Sequence, residues 1–158
     1  MKDVPRRTNY IDITSEYIRG LVDGEGCFTF CKDWFKNYIP AFGIIMHARD
    51  QWLLVKVADY LNIKGEVRIY RAYNYPHDPI KHPMTARMMV RDIETLKNVV
   101  VPIFYKRLIG YKGQQFEGWM ERIGSDPLVP EKYKLLYRLY KSGYWDKKEN
   151  YIDEKFWN

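Results

Sequence analysis

The residue best placed for chemistry is an acid, Glu25, inside the stretch Tyr17-Ile18-Arg19-Gly20-Leu21-Val22-Asp23-Gly24-Glu25-Gly26-Cys27-Phe28. A carboxylate offers oxygen to a hard cation, and a cation so held can polarise a phosphate or a water. A second candidate is Lys112, expected in the first turn of a helix. Helices favour anions at that end, so a lysine is mildly misplaced there unless a phosphate is near. A solvated lysine is the more frequent alternative.

Glu25 must be positioned by a helix that turns into a strand. Thr14 or Ser15 can cap the helix, Glu16 suits its positive end, and apolar side chains follow at helical spacing. From Gly26 the period falls to two, with Phe28 and Phe30 on one side and Cys27, Thr29 and Cys31 on the other. Glu25 therefore falls at the negative end of the helix dipole, where a carboxylate is disfavoured by about 0.3–1 kcal/mol; a bound cation reverses that sign. Gly20 and Gly24 lie one turn apart on one face, and each costs about 1 kcal/mol relative to Ala. Close approach of another backbone offsets that cost, and it can come from the chain's own core or from a second chain.

The totals bound the partners. With 158 residues, of which 46% are hydrophobic, the chain fits one domain with a real core. A net charge of +6 favours a polyanion, although a solvated sheet face accounts for it equally well. No apolar run is long enough for a bilayer and no hydrophobic segment follows the first residues, so the expectation is an intracellular protein with no targeting segment and no membrane partner. Cys27 and Cys31, four apart in one strand, are separated by about 13 Å and cannot pair within that strand. Two cysteines and three histidines make a poor zinc set.

Along the chain, residues 1–12 read as an arm, 13–124 as a core and 125–158 as a helical extension of the same domain. The first strand is Gly26 to Lys32. A turn containing Lys36 leads to a second, Tyr38 to Ala48, with Phe42, Ile44 and Met46 opposed to Ala41, Gly43, Ile45 and His47. Asp50 is expected to cap a helix to about Asn62, with Leu53, Leu54, Val57 and Leu61 as its apolar stripe. A third strand is read from Gly65 through Tyr73 and a fourth from Met84 to Arg91. Asp92 caps a helix that should end near Pro102. Another helix, about Tyr111 to Ile123, turns Phe116, Trp119, Met120 and Ile123 inward. The tail has Pro130 at a helix start, then Tyr133, Leu136, Tyr137 and Tyr140; composition does not decide whether it pads the core or grips phosphates. The order predicts an α+β fold, a four-stranded antiparallel sheet with one face on helices and the other free. That free face carries Arg68, Tyr70, Thr85, Arg87 and Arg91, and a twisted β-ribbon fits the DNA major groove, where arginine pairs bidentately with guanine.

The segment Ile18 to Gly26 resembles the LAGLIDADG motif of homing endonucleases, in both glycines, the Leu, the aliphatic residue, the first Asp and the acid. The order α-β-β-α-β-β-α over about residues 13–124 is that family's order. The resemblance implies that Glu25 is the direct metal ligand, with the Gly24 carbonyl contributing, and that Mg²⁺ is the cofactor, Mn²⁺ or Ca²⁺ substituting for binding. It implies that Lys112 is the lysine of the catalytic pocket. Thr29, Lys36, Arg49, Arg68, Tyr70, Arg71, Thr85, Arg87 and Arg91 are then the expected contacts to double-stranded DNA.

There is no second motif, and single-motif members of the family act as homodimers. The expected interface is Tyr17, Gly20, Leu21 and Gly24, which brings two Glu25 carboxylates to the centre of a pseudo-palindromic site. The sequence departs from the family in having Glu for the commoner Asp. It also has Met46 where relatives often carry a polar residue that positions water, leaving His47 or Arg49 as substitutes. The implied function is an intron-encoded, site-specific endonuclease in the cytoplasm of a prokaryote or archaeon or in an organelle. Two alternatives stay open: an RNA maturase acting on intron RNA, and a non-catalytic DNA-binding regulator of the same fold.

Overall fold

The computed structural model describes residues 11–63, 67–70, 77 and 83–158. The first helix, α1 (Ser15–Glu25), begins where Thr14 accepts the Tyr17 N–H at 3.1 Å. Ile18 and Val22 of this helix are fully buried. It stops at Gly26, whose N–H returns to the Val22 carbonyl and whose extended backbone opens strand β1 (Gly26–Lys32). A β-carbon at Gly26 would collide with Val22, so the switch from helix to strand needs glycine there.

β1 pairs antiparallel with β2 (Tyr38–His47), β2 with β4 (Thr85–Val90), and β4 with the short β3 (Arg68–Tyr70), giving the order β1-β2-β4-β3. Directly opposed residues share a face. Phe28, Phe42 and Val90 therefore line up inward, as do Ile44 with Met88 and Met46 with Ala86. The Phe28 ring meets Phe42, Phe104, Phe116 and Trp119 at centroid distances of 5.2–5.8 Å. The alternation read from the sequence holds in all three long strands. The third strand, expected from Gly65 through Tyr73, has only Arg68–Tyr70 among the described residues, and Arg71 lies outside them.

Two local expectations are corrected. Asp50 does not cap the second helix: residues Ala48–Asp50 form a 3₁₀ turn ahead of α2 (Gln51–Tyr60), and the Asp50 carboxylate makes no capping bond. The turn instead is closed by His47, whose Nδ1 accepts the Arg49 N–H at 3.1 Å. The helix after Asp92 runs past Pro102. It starts as α3 (Ile93–Thr95), widens into a π-helical turn at Leu96–Val100 and resumes as α4 (Val101–Phe104), with the Val101 N–H reaching the Leu96 carbonyl. The wider turn moves aside the carbonyl that a proline ring would strike, so the chain stays helical. At the end of β2 the expected alternation holds: Met46 faces the core and His47 is the outward residue.

Helices α5 (Tyr111–Ser125) and α6 (Lys134–Ser142) complete the apolar layer, and Tyr133, Leu136, Trp145 and Phe156 are buried in the same core cluster as α1 and the sheet. The tail thus fills the core. Ser15 Oγ donates to the Lys155 carbonyl at 2.6 Å, and Lys155 Nζ to the Tyr60 carbonyl at 2.7 Å.

Arg19, inside the motif helix, is only 6% exposed and donates to the carbonyls of Ile103, Phe156 and Asn158 at 2.7–2.9 Å. Burial, with Arg107 nearby, lowers its pKa from the usual arginine value. Replacing Arg19 by Met keeps the stem but removes three donors from carbonyls in a nearly closed site, at about 1 kcal/mol each. Urea unfolding of Arg19→Met is expected to show a loss of about 3 kcal/mol at unchanged slope.

Candidate functional site

Glu25 is the last residue of α1 and is exposed. Because the chain turns to strand at Gly26, the carbonyls of the last turn, that of Gly24 included, lie beyond the helical ladder and are open to other partners. Lys112 stands in the first turn of α5, half-buried, in a groove of about 440 Å³ between β1 and α5 that is also lined by Gly26, Thr29, Gln115 and Trp119. Glu25 does not line this groove; it precedes Gly26, which does. Trp119 Nε1 donates to the Thr29 carbonyl at 2.8 Å and fixes the groove's floor.

The open face of α1 runs up to this acid. A β-carbon on Gly20 or Gly24 would meet no atom of the chain within 4 Å. Tyr17, one turn before Gly20 and Leu21, is 47% exposed, and Leu21 is half-buried. Among the described residues, the chain's own core does not occupy the glycine stripe.

The outer face of the sheet holds a cationic cluster. Arg87 is opposed by Ile45 on β2 and by Arg68 on β3, and His47, Thr85 and Tyr70 form the next row. The Arg87 guanidinium lies 4.3 Å from the Tyr70 ring centroid, and its Nε is buried with no hydrogen-bond partner among the described residues. Like charges directly opposite each other in a sheet are unfavourable, and no Asp or Glu occurs in any of the four strands to relieve them. An anion brought from outside would do so. Met89 covers Gly43 on this face and Ala41 is buried, so the charge is concentrated toward β3 and β4 instead of being spread over the sheet.

The other expected contacts are more scattered. Thr29 is on the outer side of β1. Lys36 is exposed in the hairpin turn with φ 64, about 20 Å along β1 from Glu25. Arg49 is exposed in the 3₁₀ turn, and Arg91 is exposed just after β4, its carbonyl accepting the Tyr133 hydroxyl at 2.8 Å. His47 uses Nδ1 on the Arg49 N–H, which leaves Nε2 as the nitrogen carrying the proton in the neutral ring: a donor, not a base.

Sequence reasoning missed Arg19 and Asp23. Ser15, Ile18, Arg19 and Val22 follow the spacing of one buried helix face, so the stripe itself could have shown Arg19 to be inside. Asp23 accepts from the backbones of Ile109 and Gly110, and nothing local in the sequence announces that.

For an oxygen-seeking cation, the donor set is chemically suitable but partial. Glu25 and the Gly24 carbonyl offer oxygen only, which suits Mg²⁺. Among the described residues no group of three or more His, Cys, Asp or Glu is assembled that could hold a metal alone. Further oxygens must come from elsewhere. No helix among the described residues is long and apolar enough to cross a membrane.

Comparison with known proteins follows the same lines. The fold is similar to that of the homing endonuclease I-TnaI, at 24% identity and a TM-score of 0.55 over 89% of this chain and 82% of that one. It is similar to the LAGLIDADG homing endonuclease I-GzeII in complex with its DNA target (19% identity, TM-score 0.51, 90% of this chain and 45% of that one). I-SmaMI bound to cleaved DNA gives 20% identity and a TM-score of 0.54, over 90% of this chain and 46% of that one. The chain thus spans most of the first protein and less than half of the other two. A model of the LAGLIDADG endonuclease family matches residues 18–123, well over half of the chain and including Gly20, Gly24, Glu25 and Lys112. The chain belongs to the LAGLIDADG endonuclease family.

Proposed function

We propose that this protein is a site-specific, intron-encoded homing endonuclease that acts as a homodimer and makes a metal-dependent, staggered double-strand break in a long pseudo-palindromic DNA site. The observation that carries the reading is the open glycine stripe of α1 ending in an exposed acid: Gly20 and Gly24 face empty space, and Glu25 follows directly. A second copy packed on that stripe through Tyr17, Gly20, Leu21 and Gly24 puts the two carboxylates side by side and supplies the oxygens that one chain lacks. A twofold arrangement reads a twofold site.

Glu25 and the Gly24 carbonyl would hold the cation, together with phosphate oxygens of the DNA. When bound, Mg²⁺ supplies charge stabilisation at the phosphorus and a more acidic water. Lys112 adds a fixed positive charge beside the same strand end, where it steadies the anionic transition state or polarises solvent. His47 Nε2–H and the Arg49 side chain orient water or phosphate near that end of β2. The Arg68–Arg87 pair lies in the major groove, and the Arg87 guanidinium, stacked 4.3 Å from the Tyr70 ring centroid, is the candidate for bidentate pairing with a guanine. Thr29, Tyr70, Thr85 and Arg91 complete the contacts on the sheet and Lys36 those at its hairpin turn, and Arg71, outside the described residues, is a further DNA contact.

The reading is tested by incubating the purified protein and Mg²⁺ with a plasmid carrying the uninterrupted host gene and mapping the ends. A single double-strand break across a near-palindrome, lost on adding EDTA, is expected. Tight binding of that DNA without a break would favour the regulator, and binding of the intron RNA alone the maturase. Arg87→Ala should relax discrimination at particular base pairs by about 1–3 kcal/mol, measured by competition among singly substituted sites. A uniform loss over all sites would place Arg87 on phosphate only.

A further inference from the structure

We infer that Asp23 is a positioning residue for Lys112, fastening the helix end that bears Glu25 to the helix start that bears the lysine; this rests on the reading of Glu25 and Lys112 proposed above. Asp23 Oδ2 accepts the Ile109 N–H at 3.2 Å and Oδ1 accepts the Gly110 N–H at 3.0 Å. Both carboxylate oxygens are therefore spent on the two residues that lead into α5. Lys112 follows Gly110 by two positions and Glu25 follows Asp23 by two, so one side chain spans the gap between the elements that carry the two candidate groups. Among the described residues, no other side-chain hydrogen bond joins α1 to residues 105–115.

The carboxylate is favoured by the positive start of α5 and disfavoured by the negative end of α1, so the bond joins the two helix ends at little net electrostatic gain. Gly110 is the N-cap of α5 and has no side chain to cap with. A Ser or Asp at that position could have closed the turn locally. Instead the acceptor comes from the last turn of α1, where an acid is disfavoured by the helix dipole and lies close in sequence to the Glu25 charge. A β-carbon at Gly110 would stand 3.4 Å from Asp23 Oδ1, an ordinary contact, so a capping residue would fit there and the Asp23 bond does not depend on glycine. The loop it holds is otherwise open: Ile109 is 95% exposed and Tyr111 70%. Without Asp23 the first turn of α5, and Lys112 with it, is free to shift relative to Glu25. A displacement near 1 Å of a reacting group costs about a hundredfold in rate.

The test compares wild type, Asp23→Asn, Asp23→Ala, Lys112→Ala and the Asp23→Ala/Lys112→Ala pair, as full-length protein on the cleavage site. Single-turnover rates are measured in Mg²⁺ across pH, and DNA affinity in Ca²⁺. Asp23→Ala is expected to slow cleavage by about tenfold to a hundredfold with affinity nearly unchanged. Asp23→Asn, which keeps one acceptor, should fall between. In the Lys112→Ala background the loss of Asp23 should add less than about twofold, because residues acting as one unit are not additive. Multiplicative losses, or equal losses of rate and affinity, would overturn the inference. So would full activity in Asp23→Ala. If Lys112→Ala itself cleaves normally, the reading of the centre has failed and the inference falls with it, whereas a slow Lys112→Ala beside a fully active Asp23→Ala removes the inference alone.

Discussion

Glu25→Gln is expected to bind the DNA site as tightly as wild type and to cleave neither strand measurably. The substitution keeps the shape of the side chain and removes one charge. Glu25 is exposed at the C-terminal end of α1 and closes no turn, so the fold does not rest on it. Neutralising an acid at the negative end of a helix should even add about 0.3–1 kcal/mol of stability. The loss therefore has to appear in catalysis. Groups that merely orient a metal ligand are worth about 10- to 100-fold in affinity or activity, and a ligand itself should exceed that. Single-turnover cleavage in Mg²⁺ beside a gel-shift titration in Ca²⁺ separates the two effects. Cleavage by Glu25→Gln within tenfold of wild type would remove Glu25 from the centre, and loss of binding would make it a DNA contact instead.

Glu25 was legible because everything that places it is local. A cap at Thr14, a helical stripe through Ile18 and Val22, and a change of period at Gly26 are all written within a dozen residues, and the structure has them as read. The sheet faces were legible for the same reason: alternation in β1, β2 and β4 sends Phe28, Phe42, Ile44, Ala86 and Met88 inward. Errors came where a local rule met a tertiary context. Pro102 would end an isolated helix, yet the segment stays helical because a π turn makes room for the ring and because Val101, Ile103 and Phe104 are buried on either side of it. Asp50 looked like a cap, but His47 had already closed a tighter turn ahead of it.

The tail's helix start at Pro130 was legible, but not where the tail packs, nor the partners of the two polar groups of the motif helix. Arg19 reaches carbonyls 84, 137 and 139 residues away, and Asp23 backbone amides 86 and 87 residues away. No periodicity encodes such pairings; only the fold brings them together. The same holds for residues 144–158: composition left open whether the tail pads the core or grips phosphates, and Trp145 and Phe156 are core in the structure.

Gly20→Leu is expected to make the single chain more stable and the enzyme inactive. A β-carbon at position 20 meets nothing within 4 Å among the described residues, and Gly20 is exposed, so the side chain can extend into solvent. Glycine in a helix interior costs roughly 0.8–1 kcal/mol against good helix formers, and the substitution should return about that much to the monomer. In a dimer packed on the glycine stripe, the same side chain stands where the partner's backbone must be. Helices in contact through small residues cannot separate by a side chain's thickness and keep both acids at one DNA centre. The predicted result is a monomer by sedimentation equilibrium at concentrations where wild type is a dimer, with double-strand cleavage lost and urea resistance per chain raised. The pairing of a gain in chain stability with a loss of function is what distinguishes an interface residue from a core residue, since a core defect lowers both. A Gly20→Leu protein that remains dimeric and cuts its site would show that the two copies meet elsewhere, and a wild-type protein that is monomeric on its DNA would remove the twofold centre altogether.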